Sequence, residues 1–286
     1  MKLLPGEEMS IPIKLATLVW NKTSSQRMRE YYFAAYCWLV RKRVRVVDID
    51  GIRLKLDFSQ IIDVAVYLRR FEPEIVAAID RYARPGYTVV DIGANTGMHA
   101  LPFAAKVGLE GKVYAFEPTD YAFSRLQENM SLNPRLQVEA FKIALSDENI
   151  DSLTIDYRSS WRTDGVVEKH RSVVAVRVFD QWMSESGGRR VDILKIDVDG
   201  NEFPILNGAK KTLERDRPLI FIEIGPWHFQ SRDRDPLTLL SNIGYRFWDA
   251  KSMTETTRTA LEAFFSSMRK ETTINVIASA GTSFPN

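Results

Sequence analysis

Val89-Val90-Asp91-Ile92-Gly93-Ala94-Asn95-Thr96-Gly97 sets an acid two residues before the first of two glycines, with Asn95 between them. Gly93 lacks a Cβ, so the chain can turn sharply there and come close to a ligand. Gly97 lets the next helix begin close to the sheet. Dinucleotide-binding loops carry G-x-G-x-x-G and set a pyrophosphate on the helix N-terminus. Here the glycine spacing is G-x-x-x-G, and the Asp91 carboxylate would repel a pyrophosphate. The same carboxylate suits a cation, and S-adenosylmethionine brings two, an ammonium and a sulfonium. Lys112-Val113-Tyr114-Ala115-Phe116-Glu117-Pro118 then ends in an acid about two dozen residues beyond Gly93, the place of the ribose-binding acid in nucleoside-binding α/β folds. Glu117 can accept from both ribose hydroxyls. Ile143-Ala144-Leu145-Ser146-Asp147 leaves the next strand, where Ala144 and Leu145 could flank an adenine and Ser146 or Asp147 could bond its amine.

Transfer from a sulfonium is an in-line displacement, and the enzyme's main task is to align the acceptor's lone pair. A hydroxyl acceptor must also lose a proton, to a general base or through a metal. Asp197 ends one strand of Val191-Asp192-Ile193-Leu194-Lys195-Ile196-Asp197, followed by Asp199, Asn201 and Glu202. Glu223 ends the next, in Phe221-Ile222-Glu223-Ile224. Either acid is a candidate base, with Asp197 preferred. In a variant of that reading the two hold Mg²⁺, a hard cation that prefers oxygen ligands. The plainer reading is that Asp197 and Asp199 cap the helix beginning near Glu202. His228 follows Glu223 closely and is a further candidate base, as is His99 just after the Gly-rich loop. His170 lies in a polar stretch and reads as solvated. Ser159-Ser160-Trp161-Arg162-Thr163-Asp164-Gly165 and Trp227 offer aromatic faces to an acceptor.

The elements that must position these residues alternate from residue 72 onward. Helix 73–82 leads through Pro85-Gly86 into the strand that ends at Asp91. Helices are predicted at 98–107, 119–131, 202–215, 235–243 and 257–267, and strands at 112–117, 137–143, 173–178, 191–197, 218–224, 244–249 and 272–279. A less regular stretch is expected at 147–172. Alternation of this kind means a mostly parallel sheet covered on both faces. Residues 1–71 read as an extension and 72–286 as the main domain. Within the extension, 26–43 reads as a helix ending in Arg41, Lys42, Arg43 and Arg45. Residues 44–57 read as a hairpin about Asp50-Gly51, with Ile52, Leu54 and Leu56 sharing a face.

These segments, in order and at their distances, resemble the FkbM family of methyltransferases. The matching stretches are Tyr67 to Gly97, Val113 to Pro118, Val191 to Glu202, Leu206-Asn207-Gly208-Ala209 and Asn275-Val276-Ile277-Ala278. The resemblance covers roughly 65–280. It implies a Rossmann-like class I methyltransferase, with a seven-stranded, mostly parallel sheet and a reversed C-terminal hairpin formed by 244–249 and 272–279. It also implies S-adenosylmethionine as donor and a hydroxyl of a sugar, polyketide or other small molecule or glycan as acceptor. Asp199 stands where the family often has Glu, which shortens the reach there by one methylene.

Composition narrows the alternatives. Lys and Arg number 39 against 37 Asp and Glu, a net charge of +2, so the broad basic excess of many nucleic-acid binders is missing. Asp197-Val198-Asp199-Gly200 lacks the Pro-Pro-aromatic of base N-methyltransferases, which stack a flipped base. Nucleic-acid N-methylation is therefore the weaker enzymatic reading, and a non-catalytic cofactor-binding scaffold is the alternative of another class. The single Cys37 cannot form an internal disulfide and reads as a buried structural thiol. The opening residues do not read as a secretory signal, and Tyr31 to Val40 is about half a bilayer-spanning length. The expected location is cytoplasmic. The basic end of helix 26–43 offers at most a weak membrane-surface contact.

Overall fold

The computed structural model describes residues 44–158, 169–268 and 272–281. The helix expected at 26–43, Cys37 and the polar loop 159–165 lie outside them. The described residues fall into two compact units.

The smaller unit centres on a hairpin of β1 (Val44–Ile49) and β2 (Ile52–Asp57), which pair antiparallel. Asp50 and Gly51 both take positive φ, 56° and 84°, the backbone of the tight turn that Asp-Gly favours. Ile52, Leu54 and Leu56 are buried on one face, as the alternation predicts. The backbone of β2 is met by side chains: Asn129 Oδ1 accepts from Lys55 N at 2.8 Å and Asn133 Oδ1 from Arg53 N at 2.9 Å. Helix α1 (Ile61–Tyr67) follows, and its Asp63 accepts from Asp57 N.

The larger unit holds the main sheet. Its strands are β3 (Thr88–Ile92), β4 (Lys112–Phe116), β5 (Val138–Phe141), β9 (Ile193–Ile196), β10 (Leu219–Ile224), β11 (Arg246–Asp249), β12 (Glu255–Thr256) and β13 (Ile274–Ser279). They run in the order β12-β11-β13-β10-β9-β3-β4-β5. The strands from β10 to β5 are parallel, whereas β13 is antiparallel to both β10 and β11. This is the expected sheet with its reversed hairpin, plus a two-residue edge strand, β12. The central β3 is buried at every position, which is why Val89, Val90 and Ile92 show no alternation with exposed polar residues and why its Asp91 is a buried charge.

The helices described with this unit begin with α2 (Pro73–Tyr82), α3 (Ala100–Val107), α4 (Asp120–Ser131, of which 128–131 belong to the smaller unit) and α5 (Phe179–Glu185). After β9 come α6 (Glu202–Gly208) and α7 (Lys210–Asp216), then α8 (Pro236–Asn242) and α9 (Arg258–Ser266). Phe103 from α3 stacks on Phe221 of β10 at 6.1 Å, pinning one helix layer to the sheet centre. Trp182 of α5 meets Phe116 and Phe141 edge-on at 4.7 and 4.8 Å, an arrangement aromatic rings prefer.

Three local differences separate the structure from the predicted elements. The described parts of 147–172 are mostly strand rather than irregular. They contain β7 (Ile150–Arg158) and the start of β8 (Lys169–Val178), which with β6 (Ile143–Ser146) form a second sheet of order β6-β8-β7. Asp, Ser and Thr in β7 mask its strand character because much of that strand faces water; β8 buries only Ser172, Val174 and Val176. Helix 202–215 is divided at Ala209 (φ −105°, ψ 3°), and beside the break Gly208 lies so close to β6 that a Cβ there would sit 2.1 Å from Ser146 O. Helix α5 was not foreseen.

Candidate active site at the ends of the parallel strands

The Gly-rich loop leaves β3 at the carboxyl end of the sheet, where open α/β sheets bind their ligands. Gly93 N and Ala94 N both donate to Phe116 O at 2.9 Å, which ties the loop to the end of β4. Gly93, Asn95 and Gly97 take φ of 81°, 48° and 90°. A Cβ on Gly93 would lie 1.9 Å from Asp197 O, so this backbone runs directly against the end of β9. A Cβ on Gly97 would meet Leu126 at 2.8 Å.

Asp91 is fully buried. Its Oδ1 lies 3.2 Å from Lys195 Nζ, and its Oδ2 has no hydrogen-bond partner. Burial pushes the Asp91 carboxyl up, and the Lys195 ammonium opposes that shift. Glu117 is also buried. One oxygen accepts from Asn95 N at 3.0 Å, and the other accepts from Thr119 N and Oγ1 at 2.9 and 2.6 Å. Burial raises its pKa, and these hydrogen bonds from Thr119 and Asn95 pull the other way. Three bonds leave a carboxylate with acceptor capacity to spare.

Ala144 and Leu145 lie within β6 rather than in a loop, Leu145 buried and Ala144 half-buried. Beyond them Asp147 accepts from Asn207 Nδ2 at 2.9 Å and from Ser146 Oγ at 3.2 Å. The Leu206-Asn207-Gly208-Ala209 segment is thus packed on the exit of β6.

Asp197 and Glu223 are each one residue beyond Ile196 and Ile222, which pair in adjacent strands. Asp197 is partly exposed, with Oδ2 3.3 Å from Lys195 Nζ. Glu223 accepts from Thr273 Oγ1 at 2.6 Å. Asp199 has φ 54°; the packing around its carboxyl, with Asp197 and Glu202 nearby, raises its pKa. The N-cap of α6 is Asn201, whose side chain makes no capping bond. Among the described residues no group of three or more His, Cys, Asp and Glu side chains is arranged to hold a metal ion.

His228 sits in a 3-10 turn, Pro226–Phe229, just after β10. It is buried, and its Nε2 lies 2.6 Å from Glu202 Oε2 while Gly225 N donates to its Nδ1 at 3.0 Å. Both ring nitrogens are therefore engaged within the protein. Glu202 Oε1 accepts from Val198 N and Gly200 N at 3.3 and 3.2 Å, folding the loop that follows β9. Sequence reading valued His228 by residue type and underrated Glu202. It missed Lys195 altogether, although a lysine inside the buried strand ILKI is a detectable signal.

His99 is buried at the start of α3. Burial, and then the nearby Lys195 ammonium, push its pKa well below the usual 6.5. The folded protein keeps this ring neutral while the unfolded chain protonates it near about pH 6.5. The stability it contributes is complete above that pH and is lost as pH falls below it, with a slope approaching about 1.4 kcal/mol per pH unit. Urea unfolding at successive pH values checks this: His99→Gln is expected to flatten the slope below about pH 6.5, and an unchanged slope would assign it to other groups.

The chemical fit to a nucleoside carrying positive charge is direct. A buried carboxylate oxygen lacks a partner, a glycine backbone leaves no room for a Cβ, and a second carboxylate ends the neighbouring strand. With the strand order, these features define a class I, S-adenosylmethionine-dependent methyltransferase domain.

Residues 91–247 match the methyltransferase FkbM domain, and the chain belongs to that family. It is similar to the 2-O-methyltransferase NoeI of Sinorhizobium fredii, 28% identical over 166 residues, which covers 50% of this chain and 65% of that protein. It is also similar to the hexuronic acid methyltransferase AglP of Haloferax volcanii, 26% identical over 190 residues, covering 66% of this chain and 73% of that protein. Among solved structures it is similar to the methyltransferase FkbM from Methylobacillus flagellatus, with a TM-score of 0.41 and 17% identity over 76% of this chain and 54% of that one. Among the described residues no helix is long and apolar enough to cross a membrane.

Proposed function

We propose that this chain transfers a methyl group from S-adenosylmethionine to a hydroxyl of a sugar or related small-molecule or glycan acceptor. The observation that carries the donor is the buried Asp91 carboxylate with an unpartnered oxygen beside Gly93. Of the two relatives, the name 2-O-methyltransferase supports transfer to oxygen, and the name hexuronic acid methyltransferase supports a sugar acceptor. In this reading residues 72–286 carry the reaction and 1–71 are an extension.

The donor supplies a methyl already activated on a sulfonium. Asp91 receives its ammonium, and Gly93, Asn95 and Gly97 shape the backbone around it. Glu117 accepts from the ribose hydroxyls, and Ala144 and Leu145 flank the adenine. Asp197 takes the acceptor's proton, being partly exposed and oriented by Lys195. Glu223 stands beside it as the second acid. The Lys195 ammonium already supplies positive charge next to Asp197, so the reading uses no Mg²⁺. His228, held by Glu202 and Gly225, orders the turn after β10 rather than acting as base.

Calorimetry with S-adenosylmethionine and S-adenosylhomocysteine tests the donor. Glu117→Ala is expected to weaken both by roughly 10–100-fold, which is about 1.4–2.7 kcal/mol. A folded wild type that binds neither ligand would overturn the reading. Labelled transfer to a panel of neutral, uronic-acid and amino-sugar glycosides tests the acceptor, with label expected on hydroxyl oxygen; label only on nitrogen would overturn that part.

A further inference from the structure

Lys195 lies in a strand whose four residues are all buried, and its side chain is 5% exposed. It is in register with Asp91 of β3, and its ammonium lies 3.2 Å from Asp91 Oδ1 and 3.3 Å from Asp197 Oδ2. A fully buried carboxylate without a nearby cation takes up a proton rather than remain charged. As a neutral acid, Asp91 could not form an ion pair with a bound ammonium.

Among the described residues, these charged or titratable groups bear on Asp91 or on its partner Lys195: Lys195 of β9 itself, Asp197 after it, His99 at the start of α3 and Glu117 after β4. The two carboxylates disfavour a charge on Asp91, and buried His99 stays neutral. Of the four, Lys195 alone supplies positive charge. We propose that Lys195 is a positioning residue that keeps Asp91 ionised, with one oxygen held by the ammonium and the other, buried and without a hydrogen-bond partner, left for the donor's ammonium. The proposal rests on the reading of S-adenosylmethionine as donor. Lys195 thereby also links the donor side of the site to Asp197 through one buried charge.

The test is S-adenosylhomocysteine binding by calorimetry from about pH 5.5 to about pH 7.5, with the wild type as the reference for any titration of the ligand's own amine. Wild-type affinity is expected to change little. Lys195→Met is expected to bind at least roughly tenfold more weakly at the acid end and to recover as pH rises, because Asp91 must then lose a proton first. Adding Asp91→Asn to that variant should remove the pH dependence. An affinity in Lys195→Met that parallels wild type at every pH, or a dependence that survives in the double variant, would overturn the proposal.

Failure of the donor reading is separate, since it shows as no binding by the wild type. A readout without ligand or Lys195 substitution covers the case in which Lys195→Met does not fold. The infrared difference between wild type and Asp91→Asn at neutral pH should contain a carboxylate band, and a protonated-carboxyl band in its place would overturn the proposal.

Discussion

Gly93→Ala is expected to abolish donor binding and to destabilise the protein by about 2–5 kcal/mol. Two costs combine. The φ of 81° lies in the left-handed region, where a side chain costs about 1–2 kcal/mol. The new Cβ would also lie 1.9 Å from Asp197 O and 2.9 Å from Asp197 C, both backbone atoms. Asp197 cannot simply retreat, because its N–H donates to Ile92 O at 3.0 Å and it leaves a strand paired on both sides. Overpacking of this kind costs about 1–3 kcal/mol.

Gly86 provides the control, since it has φ of 85° and nothing within 4 Å of a Cβ. Gly86→Ala should show the backbone cost alone and bind S-adenosylhomocysteine normally. Urea unfolding and calorimetry on the two variants separate the effects. Equal behaviour would mean that the close approach to Asp197 is not what position 93 requires.

The features legible in the sequence were those that depend on neighbours in the chain. The run Val89-Val90-Asp91 followed by spaced glycines announces a buried strand and a tight exit, because each requirement is local. The hairpin at Asp50-Gly51 is legible for the same reason. Residues 202–215 read as one continuous helix, and nothing near Gly208 shows that Ser146, in a distant strand, will press against it. Strand β7 escaped notice because its polar residues face water and offer no apolar alternation.

The same distinction applies to the site. Asp91, Gly93 and Glu117 could be named from spacing, whereas Lys195 acquires meaning only when β9 is laid beside β3. His228 could be noticed as a histidine. Its partner Glu202, 26 residues away, could not be assigned from the sequence.

That buried pair carries the second large effect: Glu202→Ala is expected to cost about 2–4 kcal/mol. Gly225 N–H donates to Nδ1 of His228, so Nδ1 bears no proton, and Nε2–H donates to Glu202 Oε2 at 2.6 Å. Removing the carboxylate strands the shielded Nε2–H and the Val198 N–H, while the exposed Gly200 N–H can turn to water. Glu202→Gln should cost less, about 1–2 kcal/mol, because the amide oxygen still accepts from Val198 and Gly200. Its NH₂ would face Nε2–H, so the ring must adopt the other tautomer and donate from Nδ1 to Gly225 O, now 3.2 Å away. The unmet group would then be the Gly225 N–H. Long-range nitrogen–proton NMR of the His228 ring reads this directly: Nε2–H in the wild type, Nδ1–H in Glu202→Gln. Equal stability of the Ala and Gln variants, with no change of tautomer, would show that the pair does not hold the two loops together.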